Sequence, residues 1–204
     1  MISIPIVTII DIAGSRKIPE KHRKELFEII DTELDEIRRR NMGGVGPQRV
    51  LADTIEVLSD SWLIHARLLH HMLSLGIKIY AGIGTHRVAI LSRDINKCDG
   101  PAFWNARKAL ENVKSGWRHG VSDILIDLLL EENTPIVERL AVSQIVTYVL
   151  FINTLRGPTR RYIYDYLWRD RTISQIGECY GITSQNLSAI FKKYQVKVLK
   201  KLVA

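Results

Sequence analysis

The chain has 204 residues, 46% of them apolar and 25% charged, the balance of a soluble globular protein with one large domain or two small ones. Two cysteines, Cys98 and Cys179, stand far apart, which excludes a disulfide scaffold and a cysteine zinc site and fits a reducing compartment. The net charge of +7 is not spread evenly: residues 155–204 hold ten basic and three acidic side chains, while the first 154 residues balance 19 against 19. A basic end of this kind suits a polyanionic partner.

The start, MISIPIVTIID, has no basic segment and breaks on Asp11, so no signal peptide is expected. Its β-branched run reads as a buried strand that ends on a carboxylate, followed by Gly14, Ser15, Arg16 and Lys17. Pro19 then opens a helix whose Leu26, Ile29, Ile30, Leu34 and Ile37 recur at helical spacing. Residues 42–48, MGGVGPQ, read as a glycine-rich loop, and 49–66 as two short strands turning near Ser59-Asp60. A short helix follows and stops at Gly76. Residues 77–92 read as a strand pair turning at Gly84-Thr85, and a helix starts near Pro101. Residues 121–133 fit strand or helix equally well.

The order β-α-β-β-α-β-β-α predicts an α+β fold: a ferredoxin-like palm, an antiparallel sheet with helices on one face. From Pro135 the pattern is wholly helical, so the predicted domains are 1–134 and 135–204, with the boundary in EENTP. The longest uncharged stretch, 140–155, is shorter than the roughly 20 residues a spanning helix needs and carries Ser, Gln, Thr and Asn. It reads as a buried helix or a homodimer surface, with Val146 and Leu150 as its test positions, and not as a membrane span.

The sharpest motif is RTISQIGECYGITSQNLSAIFKKY, residues 171–194. Counted from Ile173, Gly177 falls where two helices of a helix-turn-helix cross, and Gly181 falls in the turn. Ile176, Tyr180, Ile182, Leu187 and Ile190 fall on buried positions. The second helix starts near Ser184, a good cap. Its outer face carries Gln185, Asn186 and Ser188, side chains suited to base edges, with Lys192, Lys193, Arg169 and Arg171 placed for phosphates of double-stranded DNA. An ordinary helical hairpin with a basic face is the alternative. The same region resembles the last DNA-binding module of bacterial sigma factors, which implies DNA binding over the last fifty residues.

At the other end, Asp11 before a Gly turn is a good position for a metal, with Ser15 and Arg16 following where backbone N–H groups and charge receive phosphate oxygens. Asp60 is the expected second carboxylate. Each also reads as an ordinary turn residue. Asp99 offers a purine or ribose contact or a plain helix start, and Arg107 a phosphate clamp or a pair with Glu111. The six histidines have no zinc-type spacing.

IIDIAGSRKI, YAGIGTHRVAIL and DGPAFWNARKAL resemble the SatD family of bacterial proteins over most of the chain, and more remotely class III nucleotide cyclases. The cyclase resemblance implies Mg²⁺ or Mn²⁺ held by Asp11 and Asp60, with the backbone carbonyl of Ile12 assisting and a nucleotide as ligand. Ser59 in place of a turn glycine, His86 in the next turn, and a spacing of two between Asn105 and Arg107 depart from the cyclase pattern. The reading that results is a cytoplasmic, dimeric DNA-binding regulator whose palm binds a nucleotide or pairs with another subunit. The alternative is a metal-dependent cyclase or nucleotidyl transferase carrying a DNA-binding module.

Overall fold

Seven residues, six of them β-branched, make the central strand β1 (Ile6–Ile12). The chain then runs through α1 (Glu20–Arg39), β2 (Gly44–Arg49), β3 (Thr54–Ser59), α2 (Trp62–Ser74), β4 (Ile79–Thr85), α3 (Pro101–Gly116) and β5 (Ile124–Leu129). Five helices complete it: α4 (Ile136–Thr154), α5 (Gly157–Trp168), α6 (Ile173–Tyr180), α7 (Ser184–Lys193) and α8 (Val196–Val203). This computed structural model describes residues 5–40, 44–51, 53–116, 123–130 and 133–203. The class is α+β, as expected.

The sheet order is β2-β3-β1-β4-β5. β1 lies antiparallel to both β3 and β4, so β3 is inserted between β2 and β1. β5 is parallel to β4, and the sheet is therefore mixed rather than antiparallel throughout. The reason is the crossover: a parallel neighbour needs a covering helix, and α3 supplies it. This settles the ambiguous segment as a strand at 124–129.

Both faces are covered, not one. Ile6, Ile10 and Ile12 join Ile30, Leu34 and Ile37 of α1 and Ile64, Leu68 and Met72 of α2 in the larger core. Val7 and Ile9 point the other way, onto Ala102, Phe103, Ala106 and Leu110 of α3. Gly82 and Gly84 make that second packing possible, because a Cβ there would lie 2.2 Å from the Ala106 carbonyl oxygen and 2.3 Å from that of Ala102.

Two further expectations change. Gly44–Arg49 is an edge strand with an irregular register between Val45 and Gln48, where a proline is tolerated; Met42 and Gly43 lie outside the described residues. The chain passes from β2 to β3 between Arg49 and Thr54, and Ser59-Asp60 leads into α2 instead of turning a hairpin. Residues 86–100 are not a return strand; they carry an isolated bridge between Ile90 and Asp99 and bury Ile95 and Cys98 in the second core.

The boundary expected at Glu131–Pro135 falls partly outside the described residues. The packing nevertheless runs on past it. One apolar cluster includes Ile10 of β1, Ile145 of α4, Ile163 of α5 and Leu187 of α7. Among the described residues α4 alone is long and apolar enough to cross a membrane by length and composition. Its Val142, Ile145, Val149 and Ile152 are fully buried in that cluster.

Candidate functional site

Helix α6 begins with a reciprocal cap: Thr172 accepts from the Gln175 N–H at 3.2 Å, and the Gln175 side chain accepts from the Thr172 N–H at 2.9 Å. It stops at Gly181, which is left-handed (φ 63°). Helix α7 starts after Thr183, whose hydroxyl accepts from the Asn186 N–H at 3.3 Å. The cap is thus Thr183, one residue before the expected Ser184. The helices meet at Gly177, where a Cβ would lie 2.6 Å from the Ile182 carbonyl oxygen. Ile176, Leu187 and Phe191 are buried beneath the crossing, and Tyr180, Ile182 and Ile190 pack partly buried around it.

With Leu187 and Phe191 turned inward, α7 turns Gln185, Ser188 and Lys192 outward at helical spacing. Ser184, Asn186 and Lys193 flank them, and all six are exposed. Beside Ser188 and Lys192 a hollow of about 330 Å³ is also lined by Ile173, Gln195 and Lys197. One expected member differs. The Arg171 guanidinium donates to Asp165 at 2.9 Å and to the Cys179 sulfur at 3.4 Å. Asp165 is 1% exposed and also accepts from the Tyr180 hydroxyl at 2.8 Å. Arg171 thus holds α6 against α5, and a phosphate would have to compete with that pair.

At the sheet, the register separates the residues expected to share a metal. Asp11 stands opposite Thr54, whereas Ser59, the neighbour of Asp60, stands opposite Ile6. Five residue steps along a strand are roughly 16 Å. Asp11 and Asp60 therefore sit at opposite ends of the sheet, and they do not fit one shared ion. Among the described residues no three His, Cys, Asp or Glu side chains gather as a metal group.

Each expected nucleotide residue has a definite place. Asp11 pairs with Lys114 near the end of α3 at 2.5 Å. Ile12 is buried and gives its N–H to the Asp53 carbonyl at 3.1 Å. The buried Ser15 hydroxyl donates to the Asp53 carboxylate at 2.5 Å, and Arg16 is exposed. The Gly-Ser turn after β1 therefore clamps the chain at Asp53, just before β3. Asp99 and Arg107 do come together, at 3.6 Å, so Arg107 pairs with Asp99 and not with Glu111 as its plainer reading had it. Asp99 also accepts from the Trp104 indole at 2.9 Å. They lie towards the start of α3, away from the Asp11 end.

Sequence reasoning missed Asp53, Glu56 and Lys114. Glu56 shares the α3 side of the sheet with Ile9 and Asp11 and is 7% exposed, with no hydrogen-bond donor to its carboxylate among the described residues. Burial raises its carboxyl above the ordinary range, and the nearby Arg107 opposes only part of that rise. The alternation of 54–59 carried the signal, once the strand is placed there. Lys114 follows Arg107 by two helical turns and so shares its face.

His65, His70 and His71 are buried packing residues. His70 Nε2–H donates to the Arg160 carbonyl at 3.0 Å, and Nδ1 accepts from the Tyr148 hydroxyl at 2.8 Å. The chain matches no family model and no curated protein.

Proposed function

We propose that this protein is a DNA-binding regulator in which α6 and α7 form a helix-turn-helix and α7 enters the major groove. The observation that carries the reading is the division of α7: Leu187 and Phe191 inward, Gln185, Ser188 and Lys192 outward, on a segment holding the whole net positive charge. Gln185 and Asn186 suit adenine edges, and Lys192 and Lys193 suit phosphates. Selection from a random duplex library, followed by titration of the enriched sequence, tests it. A preferred sequence that loses its preference in Gln185→Ala supports the reading. Failure to bind any duplex at low salt overturns it.

A second reading concerns the N-terminal part. We take the N-terminal part, in which β3 lies between β2 and β1, as a ferredoxin-like palm, and the α3 side of its sheet as a nucleotide cradle in a regulator rather than an enzyme. What favours it is Glu56, a buried carboxylate with no hydrogen-bond donor among the described residues, on the same side as the cations Arg107 and Lys114. A carboxylate accepts from base amino groups, and cations pair with phosphates. Isothermal titration with nucleoside triphosphates, with and without Mg²⁺, tests this. Binding that Glu56→Gln weakens about tenfold supports the cradle, and heat-silent titrations with all of them remove it.

A further inference from the structure

The cations of the basic C-terminal segment divide into two groups. Its three carboxylates are all engaged close by. Asp165 accepts from Arg171 at 2.9 Å and from Tyr180 at 2.8 Å, Asp170 pairs with Lys200, and Glu178 accepts from the Ser174 hydroxyl at 3.2 Å. Lys200 also donates to the Tyr166 and Leu167 carbonyls, at 2.9 Å and 3.3 Å, and so ties α8 to the end of α5. Lys192 and Lys197 are different. Both are exposed, and among the described residues neither has a carboxylate partner. The chain turns at Gln195, left-handed at φ 53°, and Lys197 of α8 lines the same hollow of about 330 Å³ as Ser188 and Lys192 of α7. Gln195 is part of that lining, and Ile173 and Phe191 supply its apolar part.

We propose that this hollow seats one phosphate of the DNA backbone, with Lys197 of α8 as a phosphate contact from outside the helix-turn-helix. The inference rests on the reading of α7 as the helix that meets DNA, and it adds α8 to that surface. Two ammonium side chains with no carboxylate beside them line one hollow, an arrangement that repels itself until an anion enters. The Ser188 hydroxyl and the Gln195 amide are neutral donors that suit phosphate oxygens. The place also fits. Gln185, Ser188 and Lys192 follow one another at three- and four-residue steps, so a phosphate seated here lies on the same side of α7 as Gln185. Phosphate contacts fix the register of a protein on its duplex. A phosphate held from both α7 and α8 therefore sets which base edge Gln185 meets.

The test titrates the full chain with its enriched duplex, in which single phosphates are replaced one at a time by neutral methylphosphonates. Lys197→Ala is expected to keep wild-type circular dichroism and to bind the unmodified duplex about tenfold more weakly. At one phosphate the replacement is expected to weaken the wild type and to cost Lys197→Ala nothing further. Other contacted phosphates are expected to cost both proteins alike. Lys108→Ala, exposed on α3 across the sheet, is expected to bind as the wild type does. Potassium phosphate is expected to displace the duplex no better than potassium chloride of equal ionic strength. A stronger displacement that needs Lys197 would make the hollow a site for free anions and overturn the proposal. So would a Lys197→Ala protein that binds as tightly as the wild type, or one in which every phosphate stays as costly to neutralise. These outcomes leave the DNA reading standing, whereas a wild type that binds no duplex sinks that reading and this inference with it.

Discussion

Gly177 has no room for a side chain: a Cβ would press on the Ile182 carbonyl at 2.6 Å. A Gly177→Val substitution is therefore expected to destabilise the protein by about 1–3 kcal/mol, the range for overpacking, read from urea unfolding. The exposed residues of α7 behave differently. Gln185→Ala is expected to cost about 1–3 kcal/mol at one base position and to leave other positions alone. Lys192→Ala is expected to weaken binding to every sequence and to lower the salt slope by about 1. For Arg171→Ala, which unties Asp165, a lower melting temperature with an unchanged salt slope is expected. The outward placement of Gln185 and Lys192 was legible in the sequence because the turn glycine and the apolar spacing of Leu187 and Phe191 fix which side of a short helix faces out. The partner of Arg171 was not, because Asp165 belongs to the preceding helix and only packing brings its carboxylate under α6.

Among the elements, the joint between α1, α2 and α5 turns on one buried carboxylate. Glu33, 2% exposed, accepts from Arg67 Nε at 2.8 Å and Nη2 at 2.5 Å, from the Tyr164 hydroxyl, and from Arg169 at 3.4 Å. Burial by itself raises its carboxyl, but His71, Arg67 and Tyr164 outweigh that and hold it below its ordinary value. Removing one partner of a buried pair leaves the other charge uncompensated, so Glu33→Ala is expected to cost about 3–5 kcal/mol, again read from urea unfolding. The strands show where sequence reading succeeds and fails at this scale. Ile6–Ile12 announces itself by composition. Gly44–Arg49 does not, because glycine and proline argue for a loop and only the edge position beside β3 makes it a strand. That misplacement put the hairpin turn at Ser59-Asp60 instead of between β2 and β3, and it put the wrong aspartate beside Asp11.

For the whole molecule, the buried histidines set the response to acid. Burial pushes His65 down to about 4, His70 to about 3 and His71 to about 4, from an ordinary 6.5. The unfolded chain therefore binds more protons than the folded one once the pH is below about 6.5, and stability falls as the pH drops from there towards 4. At pH 5 the loss is about 2 kcal/mol per histidine. Glu33, depressed below 4.5, adds its own loss only at lower pH. Thermal unfolding followed from pH 7 to pH 4.5 checks this; a flat melting temperature over that range would contradict it.

The most direct measurement is fluorescence anisotropy of a labelled duplex titrated with the protein at several salt concentrations. The account predicts binding whose logarithm falls linearly with the logarithm of salt, with a slope of about −0.9 for each phosphate contacted, and a smaller slope in Lys192→Ala/Lys193→Ala. Absent binding at low salt, or a slope that the lysine variant leaves untouched, would mean that the exposed side of α7 does not meet DNA.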